Sequence, residues 1–284
     1  MHSAKRKSKS LTKKLMFYLL PFAVGIIFFV WIALPLIMAL LWSLVNPEYA
    51  WSYPQIFPEH PSFYHWIRIF KYTSIVGSIG NSLFIAVMSM MLSFLLALPT
   101  AYALGRRRLK GKEIFKIIML LPMVFPGMAM ALFLGRLLFM AGFSGKYIGV
   151  VIAHTLIGLP YMLRILTVSF ESMPQELLDA ADNLGAGSWT KFLEIYFPMI
   201  LPGFVAGSIF TFITSMEEFN LAFIIGVPNI QTVPTILYSY LGYNFLRTSA
   251  SVVALIMVIP NISLLMFTEQ YIKTEYMGVA LGKM

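Results

Sequence analysis

The chain has 284 residues, of which 59% are hydrophobic and 12% charged, and its formal net charge is +9. A soluble domain carries roughly twice that charged fraction, so much of the apolar surface must face lipid. Without Cys there is no disulfide and no thiolate metal site, and the basic residues sit at segment ends, which excludes a nucleic-acid-binding face and points to membrane orientation.

Six hydrophobic segments follow in chain order. The first, Leu15 to Val45, has no charge, and Pro21 and Pro35 are expected to kink it or to mark an interfacial start. No small-residue cleavage site follows the basic N-terminus, so this run reads as a retained helix. The second spans about Ile79 to Leu104 and the third about Ile114 to Met140. The fourth is Tyr147 to Leu166, the fifth Pro202 to Val227 and the sixth Thr248 to Tyr271. Each is helix length, since a bilayer core takes about 20 apolar residues per crossing, and the class is all-α membrane.

Orientation follows from the basic side chains. With the N-terminus in the cytoplasm, sixteen of the 21 lie inside, from Lys5 and Arg6 through Arg106, Arg107, Arg108, Lys116, Arg164 and Lys191 to Lys273 and Lys283. Arg68, Lys71, Arg136, Lys146 and Arg247 remain outside. Both termini are then cytoplasmic. The chain reads as one membrane domain, 1–284, with a basic tail at 1–14, an aromatic and Pro-rich outer loop at 46–76 and a cytoplasmic loop at 171–198. The short basic turn at 106–112 reads as a topology anchor.

The loop at 171–198 is the longest cytoplasmic connection and is locally acidic. Ser172 with Gln175 has the form of a capping box, and Pro174 suits a first turn. Helix formers run from Gln175 to Leu184, and Gly185 stands where a left-handed C-terminal residue belongs. Ser188 then suits the start of a second short helix, which Pro198 is expected to end. Glu176 and Asp179 offer carboxylates to a basic partner, and Ala180 and Ala181 give a low surface for close approach. On these grounds alone an amphipathic connector and a docking hairpin remain equally open.

Asp179-Ala180-Ala181, then Gly185 after three residues, then Ile195-Tyr196-Phe197-Pro198 after nine, resembles the coupling-loop motif of binding-protein-dependent ABC importers. Asp179 stands for Glu and Phe197 for Leu, which keeps charge sign and apolarity. The likeness runs from about residue 77 onward. It implies the type I importer permease fold with six transmembrane helices in the inner membrane. It also implies a cytoplasmic ATPase docking at Glu176, Asp179, Ala180, Ala181, Gly185, Ile195 and Pro198. The further partners are a second permease in a homo- or heterodimer, two ATPase subunits in all, and an external solute-binding protein. The chain has no Gly-x-x-x-x-Gly-Lys-[Ser/Thr] phosphate loop, so ATP and Mg belong to the ATPase and this chain is not an enzyme.

Glu217 and Glu218 lie within the fifth segment, where acids normally face a cavity or a partner. Ser208, Thr211, Ser215 and Glu218 recur at helical spacing as a polar stripe, so Ser215 and Glu218 are expected on the substrate pathway and Glu217 against a neighbouring helix. His154 is expected to be packed and hydrogen-bonded, and Gly203 with Gly207 permits close helix approach. The 19 Met and 24 Phe residues read as adaptable packing. The segment at 227–239 resembles the family's outer gate loop. Ser215-Met216-Glu217-Glu218 and Leu237-Tyr238-Ser239 resemble the branch that handles polyamines, ferric iron and aminoethylphosphonate, and Glu218 favours a cation such as spermidine or putrescine. A secondary transporter would show inverted repeats and a membrane enzyme a converging catalytic set; neither is visible.

Overall fold

The computed structural model describes residues 2–49, 51–52, 54–243 and 245–280, with the side chains of 2–20, 23, 243 and 270–280 left aside. Of the tail at 1–14, residues 2–14 are thus described in their backbone only, as is Lys273, and Lys283 lies outside the described residues. Among the described residues there are helices and no strands. Among the described residues five helices are long and apolar enough to cross a bilayer, and six crossings result when a pair bent by 100° is counted as one broken span.

The chain divides into two compact units, Met1–Ile69 with Leu246–Leu255, and Phe70–Phe245 with Ile256–Met284. In the first, α1 (His2–Ser43) runs unbroken through Pro21 and Pro35. Most of its membrane stretch, Val24–Ser43, is exposed, and burial begins only at its end with Ser43, which fits a helix sheathed in lipid. The loop that follows folds back on its end: Ser62 N–H donates to Leu44 O at 2.8 Å and Trp66 Nε1 to Ser43 Oγ at 3.2 Å. Trp42 packs on Trp51 with ring centroids 4.9 Å apart, and the Arg247 guanidinium lies over Trp42 at 5.9 Å. The short α2 (Tyr64–Tyr72) follows the loop.

The second unit is built on three packed helices. α3 (Ile75–Arg106) carries Ser82, Ala86, Ser89, Ser93, Ala97 and Ala101 at intervals of three and four, all buried. That stripe of small side chains is what lets a neighbouring backbone come close. Next come α4 (Lys112–Met119), α5 (Leu121–Val124) and α6 (Gly127–Met140). The sequence predicts a single third crossing here; instead it is broken, with Lys112–Val124 and Gly127–Met140 meeting at 100°. The cause is Pro126 after extended Phe125 (ψ 140°), because a residue before proline is pushed out of the helical region.

α7 (Tyr147–Glu171) fills the groove of α3. Ser89 Oγ donates to Val151 O at 3.2 Å and Ser93 Oγ to Thr155 O at 3.4 Å, satisfying hydroxyls that lipid cannot. After the hairpin of α8 (Gln175–Asn183) and α9 (Ser188–Lys191), a π turn at Phe192–Tyr196 leads into α10 (Phe197–Glu217). α10 crosses α7 through Gly203 and Gly207, where a Cβ on Gly207 would stand 2.6 Å from Met162 Sδ. Pro198, expected to end the second short helix, sits in the first turn of α10 and the helix continues past it. The π turn lies just before it, and the wider spacing there accommodates a ring that would clash in a regular turn. A second π turn at Ala222–Gly226, α11 (Val233–Tyr238) and α12 (Arg247–Ala280) complete the chain.

Candidate functional site

The hairpin at 171–198 begins where α7 stops at Glu171. The expected capping box does not form. Ser172 Oγ donates backward to Ser169 O at 3.0 Å, and Pro174 occupies the N-cap position of α8 without a side-chain cap. The Gln175 amide has other partners: its Oε1 accepts from Arg106 and its Nε2 donates to Asp179 Oδ1 at 2.8 Å. α8 turns Leu178 and Ala181 inward and leaves Glu176, Asp179 and Ala180 exposed. Of the paired alanines, one packs and the other presents surface.

The bend after α8 is closed by backbone bonds. Gly185 has φ +75°; its N–H donates to Asp182 O at 3.0 Å and Ala186 N–H to Ala181 O at 2.9 Å. This is the Schellman arrangement that a glycine after a helix permits. Lys191 on α9 then pairs with Asp182 on α8. The base of the hairpin is aromatic: Tyr102 meets Phe170 at 5.6 Å and Tyr196 at 5.5 Å. Ile195 is half-buried in the π turn, and Pro198 is exposed.

Sequence spacing missed the apolar tip. Leu184 is 88% exposed and Trp189 71% exposed, flanking the bend. Together with Leu177 on α8, which is also exposed, they give the hairpin an apolar patch of the kind that suits a contact. The available signal was a Leu and a Trp on either side of the two glycines.

The acidic pair sits at a break. α10 ends at Glu217, and Glu218 is extended (ψ 115°). The Glu218 carboxylate accepts Leu221 N–H at 2.9 Å, capping the restarted helix. The predicted continuous fifth segment to Val227 is therefore interrupted, although neither Gly nor Pro marks the spot. Glu217 is exposed and accepts from Asn261 Nδ2 of α12 at 3.3 Å. The polar stripe beneath faces α7: Thr211 Oγ1 donates to Gly158 O at 3.3 Å, and Ser215 Oγ bonds His154 Nδ1 at 2.8 Å. Ser215 and His154 are both buried. Ser215→Ala is expected to destabilise the protein by about 1–3 kcal/mol, because it strips a buried imidazole of its hydrogen-bond partner. Thermal unfolding in detergent tests this, and an unchanged midpoint would show that the pair contributes nothing.

At the opposite end, residues 227–239 are pinned to α3, whose Asn81 is in turn held by Tyr147 of α7. Asn81 Nδ2 donates to Gln231 O at 2.8 Å, Tyr147 OH to Asn81 Oδ1 at 2.7 Å, and Val233 N–H to Ser82 Oγ at 2.9 Å.

Helices of membrane length define a multi-pass membrane protein. Residues 93–273 match the binding-protein-dependent transport system inner membrane component family, and the chain belongs to it. It is similar to the molybdenum transport system permease protein ModB of Haemophilus influenzae, 34% identical over 187 residues, 58% of this chain and 80% of that protein. It is also similar to the spermidine/putrescine transport system permease protein PotC of Escherichia coli (strain K12), 27% identical over 194 residues, 66% of this chain and 74% of that one. Among solved structures, a bacterial ABC transporter involved in the import of the acidic polysaccharide alginate superposes with TM-score 0.75 at 19% identity, over 90% of this chain and 96% of that one. The MetNI methionine ABC transporter gives 0.59 at 18% identity, over 70% and 95%. These two likenesses concern the fold.

Proposed function

We propose that the chain forms half of a translocation path in an ATP-driven importer and passes ATPase motion to its spans through the hairpin at 171–198. The closed bend at Gly185 carries this reading, since only a stiff lever transmits force. Glu176, Asp179, Ala180, Ala181, Gly185, Ile195 and Pro198 form or shape the docking face, with Leu184 and Trp189 as its apolar tip. The partners are a second permease, two ATPase subunits that bind ATP and Mg, and an external solute-binding protein meeting the 227–239 side. Glu217 and Glu218 border the solute path at the break in the fifth crossing, while Ser215, expected there too, is buried against His154 of α7 and supports the wall behind them.

For cargo, the carboxylates at 217 and 218 support a polyamine, in line with the likeness to PotC. Molybdate is the second reading, favoured by the higher identity to ModB. Tagged protein purified from its native membrane should bring an ATPase subunit with it, and vesicle uptake should require ATP. Solute transport by the chain alone without ATP would sink the proposal.

A further inference from the structure

We infer that Arg106 is the positioning residue that locks the docking helix to the two spans behind it; the inference rests on the docking role proposed above. In the sequence, Arg106, Arg107 and Arg108 look alike. In the structure they part company. Arg107 lies over the Tyr102 ring at 5.8 Å, and Arg108 is exposed. Arg106 is half-buried at the end of α3, at the corner where α7 turns into α8.

Its guanidinium serves both sides of that corner. Nη1 donates to Met173 O at 3.0 Å and at longer range, 3.5 Å, to Phe170 O, while Nη2 donates to Gln175 Oε1. Phe170 O belongs to the last turn of α7, where carbonyls lack intrahelical donors and a positive charge is favoured. Gln175 opens α8 and passes the link to Asp179 of the docking motif at 2.8 Å. A chain of hydrogen bonds thus runs from α3 across the end of α7 to the exposed carboxylate.

Gly105 makes the reach possible. A Cβ there would stand 2.7 Å from Phe170 Cβ and 3.0 Å from Thr167 O, so only glycine brings the last turns of α3 and α7 this close. The residue type at 106 follows from the acceptors: three of them in different directions suit a planar fork with five N–H groups, and a lysine ammonium on a flexible stem cannot hold all three in register. With the fork in place, a push on α8 turns α3 and α7 together. Without it, α8 hangs from the burial of Met173 and Leu178.

The test uses the complete assembly, this chain with its partner permease and ATPase, in proteoliposomes loaded with ATP, with the binding protein and labelled putrescine or molybdate, whichever the wild type carries, supplied outside. Arg106→Lys should lower uptake on the order of tenfold while ATP hydrolysis changes less than about twofold, so solute moved per ATP falls. Arg108→Gln should stay within about twofold on both counts. Gln175→Leu should reproduce part of the loss, and the double variant should be no worse than the poorer single one, because both cut the same link. An unchanged solute-to-ATP ratio in Arg106→Lys, or independent, multiplying losses in the double variant, would overturn the inference. So would loss of the ATPase from purified Arg106→Lys assembly, which would make Arg106 part of the docking face or the fold. The docking role is judged separately by Gly185→Val: if that variant keeps full coupling, the docking reading fails whatever Arg106 does.

Discussion

Gly185→Val is expected to lower solute uptake by at least about tenfold while the ATPase subunits still hydrolyse ATP. The reason is local. Gly185 sits at φ +75°, where an L-residue costs roughly 1–2 kcal/mol and a β-branched one more. Space is not the obstacle, since a Cβ at 185 meets nothing within 4 Å. The strain is therefore purely in the backbone. The chain relieves it by opening the bend, which sacrifices the bonds from Gly185 N–H to Asp182 O and Ala186 N–H to Ala181 O. α8 and α9 then lose their fixed angle, and closure of the ATPase moves the hairpin without moving the spans. The same logic predicts a series: Asn at 185, which tolerates the left-handed region, should stay near wild type, Ala should be intermediate and Val worst. Uptake and ATP hydrolysis measured side by side on reconstituted protein decide it. Normal uptake by the valine variant, or a ranking by side-chain volume with Asn below Ala, would discard the rigid-lever account.

The bend was legible because its signal is local: helix formers, then a glycine, then a cap. The membrane spans were legible because apolar length is a composition property. What escaped the sequence was decided by geometry between segments. The third crossing breaks at Pro126 inside a stretch whose apolarity never falters, so a hydropathy reading runs straight through. The rule that proline ends a helix fails at Pro198 because a π turn precedes it, and no residue pattern announces a π turn. Ser172 and Gln175 have the spacing of a capping box, but the competing acceptor at Ser169 O and the Arg106 donor claim them first. Arg106 itself is one of three identical neighbours, and only the approach of α7 at Gly105 separates it from the others.

The charge at the break in the fifth crossing should decide between a cationic and an anionic cargo. Spacing along a continuous helix favours Glu218 as the pathway acid. The observed break reverses the weighting: Glu218 is half-buried and spends its carboxylate on Leu221 N–H, whereas Glu217 is exposed with Asn261 as its donor. Glutamine at either position keeps an acceptor oxygen and removes the charge, so the fold at the break survives. For a polyamine, Glu217→Gln is expected to cut uptake on the order of tenfold and Glu218→Gln less, because a carboxylate in a low-dielectric span attracts a passing cation strongly. Glu218→Leu should exceed Glu218→Gln, since it also strips the cap from the restarted helix. For molybdate the sign inverts: removing an anion from the path leaves uptake unchanged or raises it. Parallel uptake of labelled putrescine and molybdate by the two glutamine variants separates the cases. Equal losses for both solutes would mean that the acids hold the helix break together and do not select the cargo.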